Sequence, residues 1–246
     1  MAGHSHSANI AVRKGKQDAQ RAKLFSKLAR YIMIAAKNGG GDPDTNLRLR
    51  YAIDKARSVS MPKDNIERAV KKGTGELEGV NYEDVTYEGY GPGGVAILVE
   101  ALTDNRARTG NDVRTLFEKG GGNMGTPGCV GYLFDRKGLI VLDVKAQPDE
   151  EKMMEAALEA GADDIKREGT VYEITTDPTT FGQVLEKLKA AGYEPGTAEL
   201  TQLPKTAAEV ETEVGKKVVR LLDALEDNDD VQNVYTNANI TEEMAG

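Results

Sequence analysis

Lysine and arginine are concentrated at the amino-terminal end of this chain. Sixteen of its 32 cationic side chains lie within the first 73 of 246 residues, where Asp and Glu number only six. That segment carries a formal charge of +10, whereas the remaining 173 residues carry −18. Clustered cations can displace the counterions that condense on a nucleic-acid backbone, whatever the charge of the whole molecule. The distribution therefore predicts a phosphate-binding head on an acidic body.

The first element of this head is predicted from a helical hydrophobic period. Counting about 100° per residue from Arg13 places the apolar residues in one sector of a helix that stops at Gly39–Gly41. Six cations share a separate sector, here called the cationic stripe: Arg13, Lys16, Lys23, Lys27, Arg30 and Lys37. Lys14 and Arg21 are candidate contacts outside the stripe. The pattern predicts a helix with a buried seam and a separate edge that binds phosphate.

Two shorter helices are predicted to complete a three-helix bundle. One is expected over residues 45–58, and the next begins at Pro62 and ends at Gly73–Gly75. Residues 1–12 show no helical period and are expected to form an arm. Further candidate phosphate contacts on the two shorter helices are Arg48, Arg50, Lys55, Lys63, Arg68, Lys71 and Lys72.

Beyond residue 82 the hydrophobic period becomes that of strands. Two strands, a helix and a strand at Val130–Phe134 predict an unfinished module, whereas residues 139–203 follow the complete ferredoxin-like order βαββαβ. A last helix, 206–226, and a strand, Val231–Tyr235, would complete the earlier module, although strands commonly pair with nearer neighbours. We therefore predict an α+β protein with the ferredoxin-like module inserted into the middle one. The predicted domains are the basic bundle with its arm (1–76), a discontinuous α+β domain (77–136 plus 206–246) and the inserted domain (137–205).

The nucleophiles and bases of the chain argue against catalysis. Both histidines and all five serines lie in the basic head, so the α+β part has no Ser–His or Cys–His pair. No pair of carboxylates stands out as a general acid and base. Gly91–Gly94 and Gly120–Gly122 lack the Walker lysine and the Gly-x-Gly-x-x-Gly order, so they are interpreted as turns. We predict a protein that is not an enzyme, with no catalytic residue and no cofactor.

The residue types of the chain also predict that it has no metal site and indicate its cellular compartment. His4 and His6 lack neighbouring Cys or His ligands for zinc, and the acidic run 226–230 lacks the loop of a calcium site. Cys129 is the single cysteine and lies in an apolar run, which predicts a buried, reduced thiol. The chain shows no secretory apolar core in residues 1–20 and no run of about 18 apolar residues, so a cytoplasmic protein without a membrane partner is expected.

Long motifs spread over the whole chain resemble one known family. They include Gly39-Gly-Gly-Asp-Pro43, Met61-Pro-Lys-Asp-Asn-Ile-Glu-Arg68, Tyr87-Glu-Gly-Tyr-Gly-Pro-Gly-Gly94 and Asp230-Val-Gln-Asn-Val-Tyr235. These resemble the YebC/PmpR family. The resemblance implies three domains with a discontinuous middle one, and a non-enzymatic bacterial regulator. Members are described as probable DNA-binding transcriptional regulators, whereas the mitochondrial relative is a translational activator of cytochrome c oxidase subunit I.

Two departures from the family pattern affect the predicted contacts. The segment 4–14, which includes most of the arm, lacks two lysines and a tryptophan that the family usually has. Because an indole stacked on an unpaired base contributes about 1–3 kcal/mol, this arm is expected to bind more weakly. The second departure is Ala107, where the family often has Asn. Its neighbours Arg106 and Arg108 remain a second candidate contact.

Two functions stay open on the sequence alone. In the first, the bundle holds the phosphates of duplex DNA without recognising bases, and the protein regulates transcription. In the second, the same cations bind structured RNA or the ribosome, and the protein is a translation factor. In either case the acidic modules are candidates for binding a protein partner.

Overall fold

The computed structural model describes residues 21–146 and 149–245, and these residues form helices and antiparallel sheets in the predicted α+β order. They group into two compact units, one reaching to residue 130 and including 217–234, the other comprising 131–216 and the residues from 235 onward. The elements in chain order are α1 (Arg21–Gly39), α2 (Leu47–Ser58), α3 (Lys63–Thr74), β1 (Glu83–Tyr90), β2 (Ala96–Thr103), α4 (Arg106–Lys119), β3 (Asn123–Met124), β4 (Phe134–Asp143), α5 (Glu150–Ala160), β5 (Asp164–Glu168), β6 (Val171–Thr176), α6 (Phe181–Ala190), β7 (Thr197–Pro204), α7 (Thr212–Glu226), β8 (Val231–Thr236) and α8 (Glu242–Ala245).

The basic bundle is built around α1, which packs against both α2 and α3. The apolar residues that recur at helical spacing are its core, and Ile32 and Leu49 are fully buried. Gly73 allows α3 to approach α1 closely, because a Cβ there would lie 2.4 Å from the carbonyl oxygen of Met33. Gly75, with φ of 84°, ends α3 in the left-handed conformation that favours glycine. The three-helix bundle is therefore confirmed.

Asn46 joins the end of α1 to the start of α2. Its Oδ1 accepts a hydrogen bond from the Leu49 amide at 3.1 Å, which caps α2, and its Nδ2 donates to the carbonyl oxygens of Ala35 and Gly40 at 2.8 Å each. The side chain thus satisfies one orphan donor of α2 and two acceptors near the end of α1. The bundle's first corner depends on this single amide.

Replacing Asn46 with alanine is expected to lower the free energy of unfolding by about 2–3 kcal/mol, because a helix cap and two further hydrogen bonds, to the carbonyls of Ala35 and Gly40, are lost. Asn46→Ser is the matched control. Serine can still cap α2 but cannot reach the two carbonyls, so about half of the loss is expected. Urea titration of the three proteins measures the difference, and equal stability of all three would show that the amide is not required.

The sheet of the first unit has the strand order β3-β1-β2-β8. β1 and β2 form an antiparallel hairpin from Glu83↔Thr103 to Tyr90↔Ala96, and β8 lies beside β2. Gly89 faces α4, where a Cβ would lie 2.7 Å from the Phe117 ring. The late strand β8 thus completes the sheet that the early strands begin, as the sequence predicts.

The strand predicted at Val130–Phe134 is wrong. Residues 131–133 form a short 3-10 turn, and Phe134 is the first residue of β4 in the other sheet. The physical reason is that Glu88 competes for the backbone of this segment: its carboxylate accepts hydrogen bonds from the amides of Gly128 and Val130 at 2.7 and 2.8 Å. Gly128 lies just before the predicted strand and Val130 is its first residue, so the chain enters this segment with amides bonded to a side chain rather than to a strand ladder.

The second unit contains an antiparallel sheet with the order β5-β6-β4-β7. Together with α5 and α6 it gives the sequence βαββαβ, so the ferredoxin-like module inserted between β3 and β8 is confirmed. The predicted boundary at residue 136 falls inside β4, and the division into three domains stays a prediction. The last long helix begins at Thr212 rather than at 206, because Ala208 forms a parallel bridge with Ala238.

Candidate nucleic-acid interface

The structure covers only part of the predicted contact set. Arg13, Lys14 and Lys16, together with the predicted arm over residues 1–12, lie outside the described residues. Arg21 is the first residue of α1, and only its backbone is described. The stripe can therefore be examined from Lys23 onward.

Lys23 contacts an acidic segment from the far end of the chain. This segment, here called the acidic turn, comprises residues Glu226–Asp230 and connects α7 to β8. The Lys23 ammonium lies 2.8 Å from a carboxylate oxygen of Asp227 and 3.7 Å from one of Asp229, and it also donates to the backbone carbonyl of Asp227. Only 26% of the Lys23 side chain is exposed. Its charge is thus compensated within the molecule.

The next two cations of the stripe meet the same turn. Lys27 donates to the carbonyl oxygen of Glu226, the last residue of α7, where a positive charge is favoured by the helix dipole. Arg30 lies 3.0 Å from a carboxylate oxygen of Asp230 and over the Tyr82 ring, 5.4 Å from its centre. Burial lowers the pKa of Lys27 to about 8, against the opposing attraction of Glu226. The ammonium of Lys27 is therefore partly desolvated.

The stripe residues Lys23, Lys27 and Arg30 are only partly exposed in the structure. Their side chains do leave the apolar seam, as predicted, but they contact acidic residues about 200 positions away, which a helical period cannot show. Lys37, in the last turn of α1, is exposed and donates to the neutral side chain of Asn81 at 2.9 Å. The binding of nucleic acid by any of these residues stays a prediction.

Asp230 is the fixed end of the acidic turn. Only 8% of its side chain is exposed, and its Oδ2 accepts from Arg108 at 2.6 Å and from Thr109 at 2.7 Å, while Oδ1 accepts from Arg30. Burial alone would raise the pKa of Asp230, but the hydrogen bonds from Arg108 and Thr109 outweigh it and lower the pKa below its usual value. Asp230 thus joins α1, α4 and β8 as a buried anion.

The second candidate contact, at the start of α4, consists of Arg106 and Arg108. Arg108 is held by Asp230 and also lies 2.8 Å from a carboxylate oxygen of Asp104, so its role in the structure is to compensate carboxylates. Arg106 points outward and lies 3.6 Å from Glu83. Both arginines are exposed, and each lies beside a carboxylate of the same molecule.

The cations of α2 also have structural partners. Arg48 makes two hydrogen bonds to the Asp84 carboxylate, at 2.7 and 3.2 Å, and lies over the Tyr31 ring. Arg50 donates to the carbonyl oxygens of Pro43 and Asp44, at the turn before α2. Lys55, further along α2, is exposed and also has a partner. Arg48 thus connects α2 to β1, and Arg50 connects α2 to the turn that precedes it.

Helix α3 carries three cations that form no ion pair in the part of the chain that the structure describes. Arg68, Lys71 and Lys72 are exposed, and within the described residues none of their side chains contacts a carboxylate. Residues three and four apart share a helix face, so Arg68 groups with both lysines. Lys63, earlier on α3, lies 3.5 Å from Glu67.

Lys37 extends this group across to α1. The segment between α3 and β1 runs past Lys72 and Lys37. Gly79 packs beside the Cβ of Lys72, and the side chain of Asn81 accepts a hydrogen bond from Lys37. The four form what we call the bundle patch: Lys37, Arg68, Lys71 and Lys72. All four are among the fifteen bundle candidates predicted from the sequence, but no feature of the sequence separates them from the paired cations.

Other predicted features can be placed in the described part of the chain. Cys129 is a free thiol of intermediate exposure rather than a buried one, and partial burial raises its pKa. No group of three or more His, Cys, Asp or Glu side chains within residues 21–146 and 149–245 is arranged to hold a metal ion. No helix in those ranges is both long and apolar enough to span a membrane.

The fold and the surface define the class of protein: an α+β protein in which a cationic three-helix bundle is followed along the chain by two antiparallel sheets and their helices. Comparison with known families identifies it further. Residues 5–76 match the N-terminal domain of the TACO1/YebC protein, and residues 82–238 match the TACO1/YebC second and third domain. The chain belongs to the TACO1/YebC family, as its motifs predict.

Similar proteins are found in many bacteria. A probable transcriptional regulatory protein of Geobacter sulfurreducens is 56% identical over 245 residues, covering 99% of this chain and 98% of that one. One from Clostridium tetani is 52% identical over 246 residues and covers both chains completely. The crystal structure of a conserved hypothetical protein from Aquifex aeolicus has 49% identity and a TM-score of 0.81, covering 92% of this chain and 93% of that one. The α+β fold is thus confirmed by a solved relative.

Proposed function

We propose that this protein regulates transcription and binds duplex DNA through the bundle patch. The observation that carries the proposal is the difference between this patch and the other described cations of the bundle. Lys23, Arg30 and Arg48 are compensated by carboxylates of the same molecule, whereas the α3 members of the patch are exposed and form no ion pair among the described residues. Uncompensated surface cations are the ones that release counterions from a phosphate backbone.

The names of the relatives support a regulatory role. Proteins more than half identical over almost the whole chain are named probable transcriptional regulatory proteins. A translation factor that binds RNA or the ribosome gains no support from those names. That the chain is not an enzyme, and that its acidic modules bind a protein partner, stay predictions.

The chemistry of the patch supports binding without base recognition. Lysine and arginine on phosphates fix the position of a protein on the duplex but carry no sequence information. Apart from its cations, the exposed residues of α3 are Asp64, Glu67 and Thr74, none of which is an amide, and Asn65 is only partly exposed. Any preference for a target would then come from DNA shape or from a partner.

A salt series tests the proposed function. Four phosphate contacts predict a slope of about −3.6 in log affinity against log salt, so affinity is expected to fall about 150-fold between 50 and 200 mM salt. Two 30-base-pair duplexes of unrelated sequence should bind equally well. Fluorescence anisotropy measures both quantities, with a structured RNA hairpin as the comparison. Absence of duplex binding, or tighter and steeper binding of the hairpin, would contradict a DNA regulator.

A further inference from the structure

The acidic turn occupies a surface that would otherwise attract phosphates. Four of its five residues are acidic, and they lie against three cations of α1. We propose that the outer carboxylates of this turn, Asp227 and Asp229, compete with DNA for Lys23 and so weaken duplex binding in the resting protein. This inference rests on the proposed function and adds Lys23, which lies outside the bundle patch, as a contact that the turn regulates.

The turn has an anchored end and an exchangeable end. Asp230 is buried and receives hydrogen bonds from two arginines and a threonine, so it stays in place. Asp227 and Asp229 are 62% and 72% exposed, and both lie near the Lys23 ammonium. Exposed ion pairs contribute only about 0–1 kcal/mol, so a phosphate can replace the carboxylates on Lys23 at little cost.

The spacing of charge in the contact suits a nucleic-acid strand. Lys23 and Arg30 are seven residues apart, about 10 Å along α1 at 1.5 Å per residue. Successive phosphates of one DNA strand are about 3.4 Å apart along the helix axis, so about three phosphate steps cover the same length. The carboxylates of the turn thus lie along α1 over a length that about three phosphate steps of one DNA strand would cover.

A purely structural role does not account for the outer carboxylates. The buried ion pair of Asp230 already holds the turn against α1 and α4. Clustered like charges repel one another, and the exposed pair at Asp227 and Asp229 adds to that repulsion. Their consistent effect is to reduce the positive potential at the amino-terminal half of α1.

The test neutralises the outer carboxylates and measures binding of the 30-base-pair duplex. The Asp227→Asn/Asp229→Asn variant is expected to bind about tenfold more tightly at 100 mM salt, with a salt slope steeper by about 0.9, because one more phosphate contact forms. The matched control is Asp112→Asn/Glu118→Gln on α4. Both residues are exposed, neither pairs with a described cation, and the charge change is the same. The control is expected to keep the wild-type slope.

Lys23 provides the second variant, because its role should depend on the turn. Lys23→Gln is expected to change wild-type affinity less than twofold, since its charge is already compensated, but to abolish the gain in the Asp227→Asn/Asp229→Asn background. Melting curves check that every variant is folded.

The outcomes separate the inference from the proposed function. Equal affinity of the variant and the wild type overturns the competition while leaving duplex binding intact, and so does an equal gain in the α4 control. A large loss on Lys23→Gln in the wild type would also overturn it, because Lys23 would already contact DNA. If no folded protein of the series binds duplex, both the function and its regulation fail.

Discussion

Replacing Arg68, Lys71 and Lys72 with glutamine is expected to reduce duplex affinity at least 100-fold and to flatten the salt slope from about −3.6 to about −0.9. Three phosphate contacts would be lost, and each contributes about 0.9 to the slope. The bundle should remain folded, because glutamine is nearly as good a helix former as lysine and arginine, and the three positions are opposite the buried Ile66 and Ala69.

A matched variant separates the patch from general charge. Lys55→Gln/Arg57→Gln/Lys63→Gln removes the same number of exposed cations from α2 and α3, but Arg57 lies beside Asp54 and Lys63 beside Glu67. This variant is expected to lose less than tenfold in affinity and to keep most of the slope. If the two triple variants weaken binding equally, the bundle binds by its summed charge and the patch is not a distinct surface.

Local sequence features predict most of the fold. The helices of the bundle end where glycines and Pro62 indicate, and α3 ends at Gly75 with positive φ. The βαββαβ order follows from hydrophobic period and turn residues, each of which acts within a few positions of the chain. The strand predicted at Val130–Phe134 is wrong where a distant side chain intervenes, because Glu88, 42 residues before Val130, accepts a hydrogen bond from the amide of that first residue.

Contacts between residues far apart in the chain also explain why the ion pairs of the site could not be predicted from the sequence. A helical period shows that Lys23 and Arg30 leave the apolar seam, but their partners are about 200 residues distant. In a chain with 34 acidic residues after position 73, no rule of spacing selects the carboxylates that will meet a given lysine. The α3 cations that form no ion pair among the described residues can be distinguished from the others only in the structure, where the ion pairs of the others are seen.

Loss of Asp230 should destabilise the protein strongly. Asp230→Ala removes a buried carboxylate that receives hydrogen bonds from Arg30, Arg108 and Thr109. Breaking a buried ion pair from one side costs about 3–5 kcal/mol, because the partner charges are left in a partly desolvated site. We expect a loss of that size in the free energy of unfolding, measured by urea titration at pH 7.

Asp230→Asn separates charge from shape in the same site. The amide is close in size and can still accept a hydrogen bond, but it cannot compensate the two arginines. It should therefore recover only part of the stability lost in Asp230→Ala. Substituting Asp229, which is exposed, should change the free energy of unfolding by less than about 1 kcal/mol.

The pH dependence provides an independent check on the charge of Asp230. Its pKa is lowered in the folded protein, so the folded state favours the ionised form more strongly than the unfolded chain does. The resulting stability is fully present above the ordinary aspartate value of about 3.9 and is lost as pH falls through the lower, folded pKa. The difference in unfolding free energy between wild type and Asp230→Asn should thus be constant from pH 7 to 5 and shrink below pH 4. A difference that persists undiminished at pH 3 would mean that the ionised carboxylate does not stabilise the junction of α1, α4 and β8.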